Sequence, residues 1–152
     1  GVDGRRKGMP EGVAEMHPPE SLDDLLPRAD FVIMTIPHTP TTEGLMDQGR
    51  LRRMKRTAFL INIGRGMTVH LDDLVAALEA GEIAGAGLDV FEIEPLPPEH
   101  PLWSTPNVLI TPHTAGFGPY LDDRRLDILL ENCRRFAHGE PLRNIVDKAT
   151  WF

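Results

Sequence analysis

Four short apolar runs, at 31–36, 58–63, 84–90 and 108–111, recur along this chain with turn-rich or helix-like stretches between them. Each is strand length, and each is too continuously apolar for a strand that keeps one face in water. Such runs read as parallel strands with helices over both faces. The stretches between them carry the helical signal. Leu71, Leu74, Val75 and Leu78 share one stripe, and Gly81 stands where a left-handed helix cap is needed. Ser21 is expected to cap a short helix with Leu22, Leu25 and Leu26 that ends near Pro27, and Asp47 a second that carries Leu51 and Met54. A long amphipathic helix is expected over 120–136, with Leu121, Ile128, Leu129 and Phe136 set among Asp and Arg. Strand and helix alternate, so the predicted fold is α/β, a Rossmann-type doubly wound parallel sheet. Its ligand crevice lies beyond the carboxyl ends of the strands.

Three of the runs are followed by ionisable residues that would reach that crevice: Arg65, Glu94 and His113. An Arg guanidinium is a planar fork that holds a carboxylate and an adjacent carbonyl, which Lys cannot reproduce. Gly64 and Gly66 leave room for a tight backbone on either side of it. Imidazole is the ordinary proton carrier near neutral pH, and a carboxylate beside His113 would keep it protonated. Glu94 is the candidate. The three together suit redox chemistry on a small acid.

The 152 residues are 41% hydrophobic and 26% charged, enough for a buried core in about one domain. A formal charge of -7 disfavours a nucleic-acid partner, which would need clustered cations to displace counterions. The basic cluster Arg50, Arg52, Arg53, Lys55 and Arg56 is short and reads as a solvated helix face. Cys133 has no second cysteine to pair with, which fits a reducing, cytoplasmic compartment. No run approaches the roughly 20 apolar residues of a membrane span, so no membrane partner is expected. His17, His38, His70, His100 and His138 lack metal-ligand spacing and read as loop or surface residues, and no metal site is expected. Met34 and Met54 read as core, and Trp103 as a cover for the sheet edge under the Pro-rich loop.

Four motifs in order carry a resemblance: Pro37-x-Thr39-x-x-Thr42, Ile61-Asn62-x-x-Arg65-Gly66, Leu88-Asp89-Val90-Phe91-x-x-Glu94-Pro95 and Pro112-His113. They resemble the D-isomer-specific 2-hydroxyacid dehydrogenases, which include glyoxylate and hydroxypyruvate reductases, over about 29–116. The resemblance implies a nicotinamide-binding domain and hydride transfer between a 2-keto acid and a D-2-hydroxy acid. It makes Arg65, Glu94 and His113 catalytic. It assigns cofactor contacts to Asp3, Ile36, Pro37, Thr42, Ile63, Gly64, Arg65, Asp89, His113 and Gly116, with Asp89 near the nicotinamide and Ile63 and Pro37 lining the cleft. An acidic Asp3 at a strand end favours the ribose hydroxyls of NAD, whereas Arg5 and Arg6 beside it suit a 2'-phosphate, so NAD is expected with NADP open.

By the same resemblance, 1–116 is the second part of the dinucleotide-binding domain and 117–152 a helix and tail that return to a substrate domain. Members open this domain with a strand, a Gly-x-Gly-x-x-Gly turn and a helix, none of which occurs in this sequence. The missing strand would lie beside the 31–36 run, and its loss is expected to leave unpaired backbone there. Gly1-Val2-Asp3 reads as a strand already under way, so the chain is expected to belong to a longer polypeptide. The alternative is a non-catalytic remnant that acts as an interaction or dimerisation module. A homodimer is expected, and the terminal Trp151 and Phe152 are expected to dock on another domain or subunit.

Overall fold

The computed structural model describes residues 11–149; Asp3, Arg5, Arg6, Trp151 and Phe152, singled out above, lie outside them. Two compact units divide between Ala115 and Gly116. In the first, α1 (Leu22–Leu25), α2 (Gln48–Leu51) and α3 (Leu71–Glu79) alternate with β1 (Phe31–Met34), β2 (Phe59–Asn62), β3 (Gly85–Leu88) and β4 (Val108–Ile110). The strands form one parallel sheet in the order β1-β2-β3-β4. The α/β, Rossmann-like open sheet is therefore as the apolar runs predict.

Local chemistry sets the helix ends. Asp47 accepts the Arg50 N–H at 2.9 Å and caps α2, and Gly81 takes φ +65° just past α3. Ser21 makes no side-chain cap bond; the turn Pro19–Ser21 runs straight into α1, and Ser21 is drawn into that turn instead. His70 does not cap α3 with its side chain either. The donor at Leu71 is satisfied from another loop, by Glu92 Oε2 at 2.9 Å.

Register sorts the sheet into two unlike faces. On one, Val32, Leu60, Ala86 and Val108 form a row beside Met34, Asn62, Leu88 and Ile110. This face meets Leu26, Leu51, Met54, Leu71, Leu74 and Leu78 in a single core, so Met34 and Met54 are core residues as read. The other face carries Phe31 and Phe59, then Ile33, Ile61, Gly87 and Leu109, and Phe31, Ile33, Phe59 and Leu109 are exposed. Apolar runs led to the expectation of cover on both faces; among the described residues only one face has it. The basic cluster is solvated and paired in part, Arg50 with Asp23, Arg52 with Glu82 and Lys55 with Asp30.

In the second unit α4 (Leu121–Ala137) is the long helix anticipated over 120–136. Glu131 binds both Arg134 and Arg135, and Arg134 also holds Glu140 beyond the helix end. Its Leu126, Leu129, Leu130 and Phe136 are exposed.

Candidate active site

The strands β2, β3 and β4 release the chain on one edge, and three short structures there carry the ionisable residues. After β2, buried Asn62 organises a tight turn. Its Oδ1 accepts the Gly64 N–H at 3.0 Å and its Nδ2 donates to the Arg65 carbonyl at 3.1 Å, which the Thr68 hydroxyl also reaches at 2.6 Å. Both glycines prove necessary. A Cβ on Gly64 would stand 2.8 Å from the Ile36 carbonyl oxygen, and one on Gly66 would fall inside the Phe91 carbonyl. The turn thus packs against the end of β1 on one side and the loop after β3 on the other. Arg65 between them is exposed, and its Nη1 donates to the Gly64 carbonyl at 2.7 Å. It hydrogen-bonds neither Glu94 nor His113.

Glu94 and His113 are in direct contact, Oε2 to Nδ1 at 2.7 Å, across 19 residues of sequence. Glu94 Oε1 accepts the Phe91 N–H at 3.0 Å, so the carboxylate is fixed at both oxygens. Burial pushes the Glu94 carboxyl up, but the Phe91 N–H, the His113 hydrogen bond and the imidazolium charge outweigh it and hold it below its ordinary value. The pair stands on the rim of a cleft of about 540 Å³ walled by Phe91, Leu96, Trp103 and Ile110. Trp103, expected as a cover under the Pro-rich loop, is instead 55% exposed, its indole N–H bound to the Pro97 carbonyl at 2.9 Å.

His113 takes φ +53°, a left-handed backbone that a residue with a side chain seldom adopts. Asp89, at the end of β3, holds the strand end and turn on either side of it. Its Oδ1 accepts the Thr111 hydroxyl and the Thr114 N–H, and its Oδ2 the Ala115 N–H, the last two at 2.8 Å. Asp89 is only 3% exposed. Burial raises its pKa, yet these three donors and the nearby His113 charge bring it below the usual carboxylate range.

The remaining assigned residues fall into two places. Ile36 and Gly64 abut at the ends of β1 and β2, with exposed Pro37 and Ile63 beside them. Thr42 closes the loop back on Pro37, giving its hydroxyl to the Pro37 carbonyl at 2.7 Å and accepting the Thr39 N–H at 2.8 Å. Gly116 belongs to the second unit. Sequence reasoning quoted Asn62 in a motif without giving it a task and passed over Thr68 and Thr111. The signal for Asn62 was available, a polar amide at the end of a buried strand two residues before a glycine. No group of three or more His, Cys, Asp or Glu that could hold a metal occurs among the described residues, and no helix there is long and apolar enough to cross a membrane.

Most of the chain is similar to known proteins. Residues 4–115 match the model of the D-isomer specific 2-hydroxyacid dehydrogenase NAD binding domain. A glyoxylate reductase from Korarchaeum cryptofilum is 43% identical over 127 residues, 84% of this chain and 38% of its own length. A D-isomer specific 2-hydroxyacid dehydrogenase from Xanthobacter autotrophicus Py2, solved with NADPH and MES, superposes with TM-score 0.84 at 44% identity, covering 92% of this chain and 57% of that one. An NADPH-dependent glyoxylate/hydroxypyruvate reductase from Sinorhizobium meliloti, solved with NADP and sulfate, gives TM-score 0.85 at 37% identity, covering 97% and 48%. The chain spans less than half the length of the curated relative it matches here.

Proposed function

Because the chain belongs to the D-isomer-specific 2-hydroxyacid dehydrogenase family, we propose that its strand-end edge is the acid–base half of a site that interconverts a small 2-keto acid and its D-2-hydroxy acid with NAD or NADP. The observation that carries this reading is the 2.7 Å bond between Glu94 and His113. With Nδ1 committed to the carboxylate, Nε2 is the nitrogen that meets the reactant. In reduction it gives its proton to the carbonyl oxygen as charge develops there, and in oxidation it recovers that proton from the hydroxyl. Glu94 stabilises the imidazolium, and Asp89 sets the backbone that aims the ring. Arg65 clamps the substrate carboxylate once its guanidinium leaves the Gly64 carbonyl, a bond replaced by two charge-assisted ones.

The nicotinamide, when bound, supplies the hydride. The residues present fit such a ring: Pro37 and Ile63 expose apolar surface at the crevice where Ile36 and Gly64 meet. A homodimer acting in the cytoplasm completes the reading, supported by family likeness and by a single cysteine with no internal partner.

The test is NADH and NADPH oxidation by the chain across glyoxylate, hydroxypyruvate and bulkier 2-keto acids, on material of confirmed mass. Turnover of at least one acid with either nucleotide is expected. No oxidation with any acid would favour the non-catalytic module instead, the reading to which the bare sheet face lends weight.

A further inference from the structure

The cleft beside the Glu94–His113 pair is walled by Phe91, Pro95, Leu96, Trp103, Ile110 and Pro112, and is mostly apolar. Phe91 and Leu96 are buried, whereas Trp103 is open to solvent. The side-chain donors on the wall are already committed: the Trp103 indole N–H goes to the Pro97 carbonyl and the Thr111 hydroxyl to Asp89. At about 540 Å³ the cleft falls within the size of ordinary small-molecule sites, about 300–1,000 Å³.

Its place in the sheet gives it a task. Arg65 follows β2, Glu94 follows β3 and His113 follows β4, in the order in which those strands lie. Neighbouring strands are about 4.8 Å apart, so Arg65 and His113 leave the sheet roughly 10 Å from each other. A keto acid held by both has its carboxylate turned toward β2. Its carbonyl carbon is trigonal, with three substituents evenly splayed in one plane, so the other two both lean toward β4. One is the oxygen, at His113 Nε2. The other is the side chain, and the cleft lies on that side, between Ile110 of β4 and Leu96 and Trp103 of the loop that leads into it. We infer that this cleft is the side-chain subsite, and that the acid this chain selects carries a branched-aliphatic or aromatic group next to its carbonyl. The inference rests on the dehydrogenase reading of Arg65 and His113. Glyoxylate, with hydrogen in that position, leaves the cleft to water. The hydroxymethyl group of hydroxypyruvate gives up water there and finds the wall's side-chain donors taken. An isobutyl or benzyl group covers the open face of Trp103 and buries apolar surface on both partners.

Two measurements on the full chain test it. In the first, NADH and NADPH oxidation is compared for 4-methyl-2-oxopentanoate, phenylpyruvate, glyoxylate and hydroxypyruvate. For at least one of the two apolar acids, kcat/KM should exceed that for glyoxylate by about tenfold or more. Trp103→Gln removes part of the apolar wall and should collapse that ratio, whereas Trp103→Phe keeps an apolar ring and should preserve most of it. In the second, the Trp103 indole N–H resonance, assigned by its loss in Trp103→Phe, is followed by NMR as each acid is added. It should shift saturably with the apolar acids, at concentrations about tenfold or more below those at which glyoxylate moves it. A ratio that favours glyoxylate or hydroxypyruvate, a ratio untouched by Trp103→Gln, or an indole signal that no acid moves overturns the inference, while turnover of any acid still upholds the dehydrogenase reading. A saturable shift with the apolar acids but no oxidation of either nucleotide upholds the cleft as their binding site and overturns that reading instead.

Discussion

On the proposed reading, Glu94 acts through its charge. In reduction the imidazole must be protonated, and the carboxylate at 2.7 Å favours that form. Glu94→Gln keeps an acceptor for the Phe91 N–H but removes the charge. The pH optimum of keto-acid reduction is therefore expected to move toward acid, and an unchanged pH–rate profile would deny the role. Asp89 acts through its three donors. Asp89→Asn leaves one acceptor oxygen where two were bonded, and should cost about 2–3 kcal/mol in urea unfolding at neutral pH. The Asp89 carboxyl is held below its ordinary value, so its contribution is complete above about pH 4 and is lost only as pH falls through the lower folded-state value. How Arg65, Glu94 and His113 reach one edge was legible in the sequence, since each follows an apolar run. What Asp89 does was not, because its partners lie 22 to 26 residues further along the chain.

Among the elements, the turn after β2 is the tightest joint. Gly66→Ala has no room to relax, since the group it meets is the Phe91 main chain itself. A loss of about 3 kcal/mol or more is expected in thermal or urea unfolding, with Gly64→Ala milder because its nearest neighbour is further off. In α4, the two arginines that bind Glu131 pull its pKa from 4.5 to about 2. The stabilisation is therefore present above about pH 4.5 and disappears as pH falls towards 2. Far-UV circular dichroism should show α4 fraying across that window, and Glu131→Gln should lessen the pH dependence of the signal there. Caps with local chemistry, Asp47 and Gly81, could be read from sequence; the partner of the N-terminal donor of α3 could not, because Glu92 supplies it from 21 residues away.

At the scale of the molecule, one face of a parallel sheet holds the core and the opposite face is apolar and open among the described residues. An apolar run says that a strand is fit to be buried on both sides, but not which residues do the burying, so the bare face lay beyond sequence reasoning while the strands did not. At the strand-end edge, Asn62, Asp89 and Glu94 each fix a turn by side-chain hydrogen bonds to its main chain. The account's central claim is that His113, held by Glu94, carries the proton of a keto-acid reduction. Comparing nicotinamide oxidation by the wild-type and His113→Ala chains on the best of the 2-keto acids tests it most directly. A fall of about 10²- to 10⁴-fold in kcat is predicted; turnover at the wild-type rate without the imidazole would contradict it.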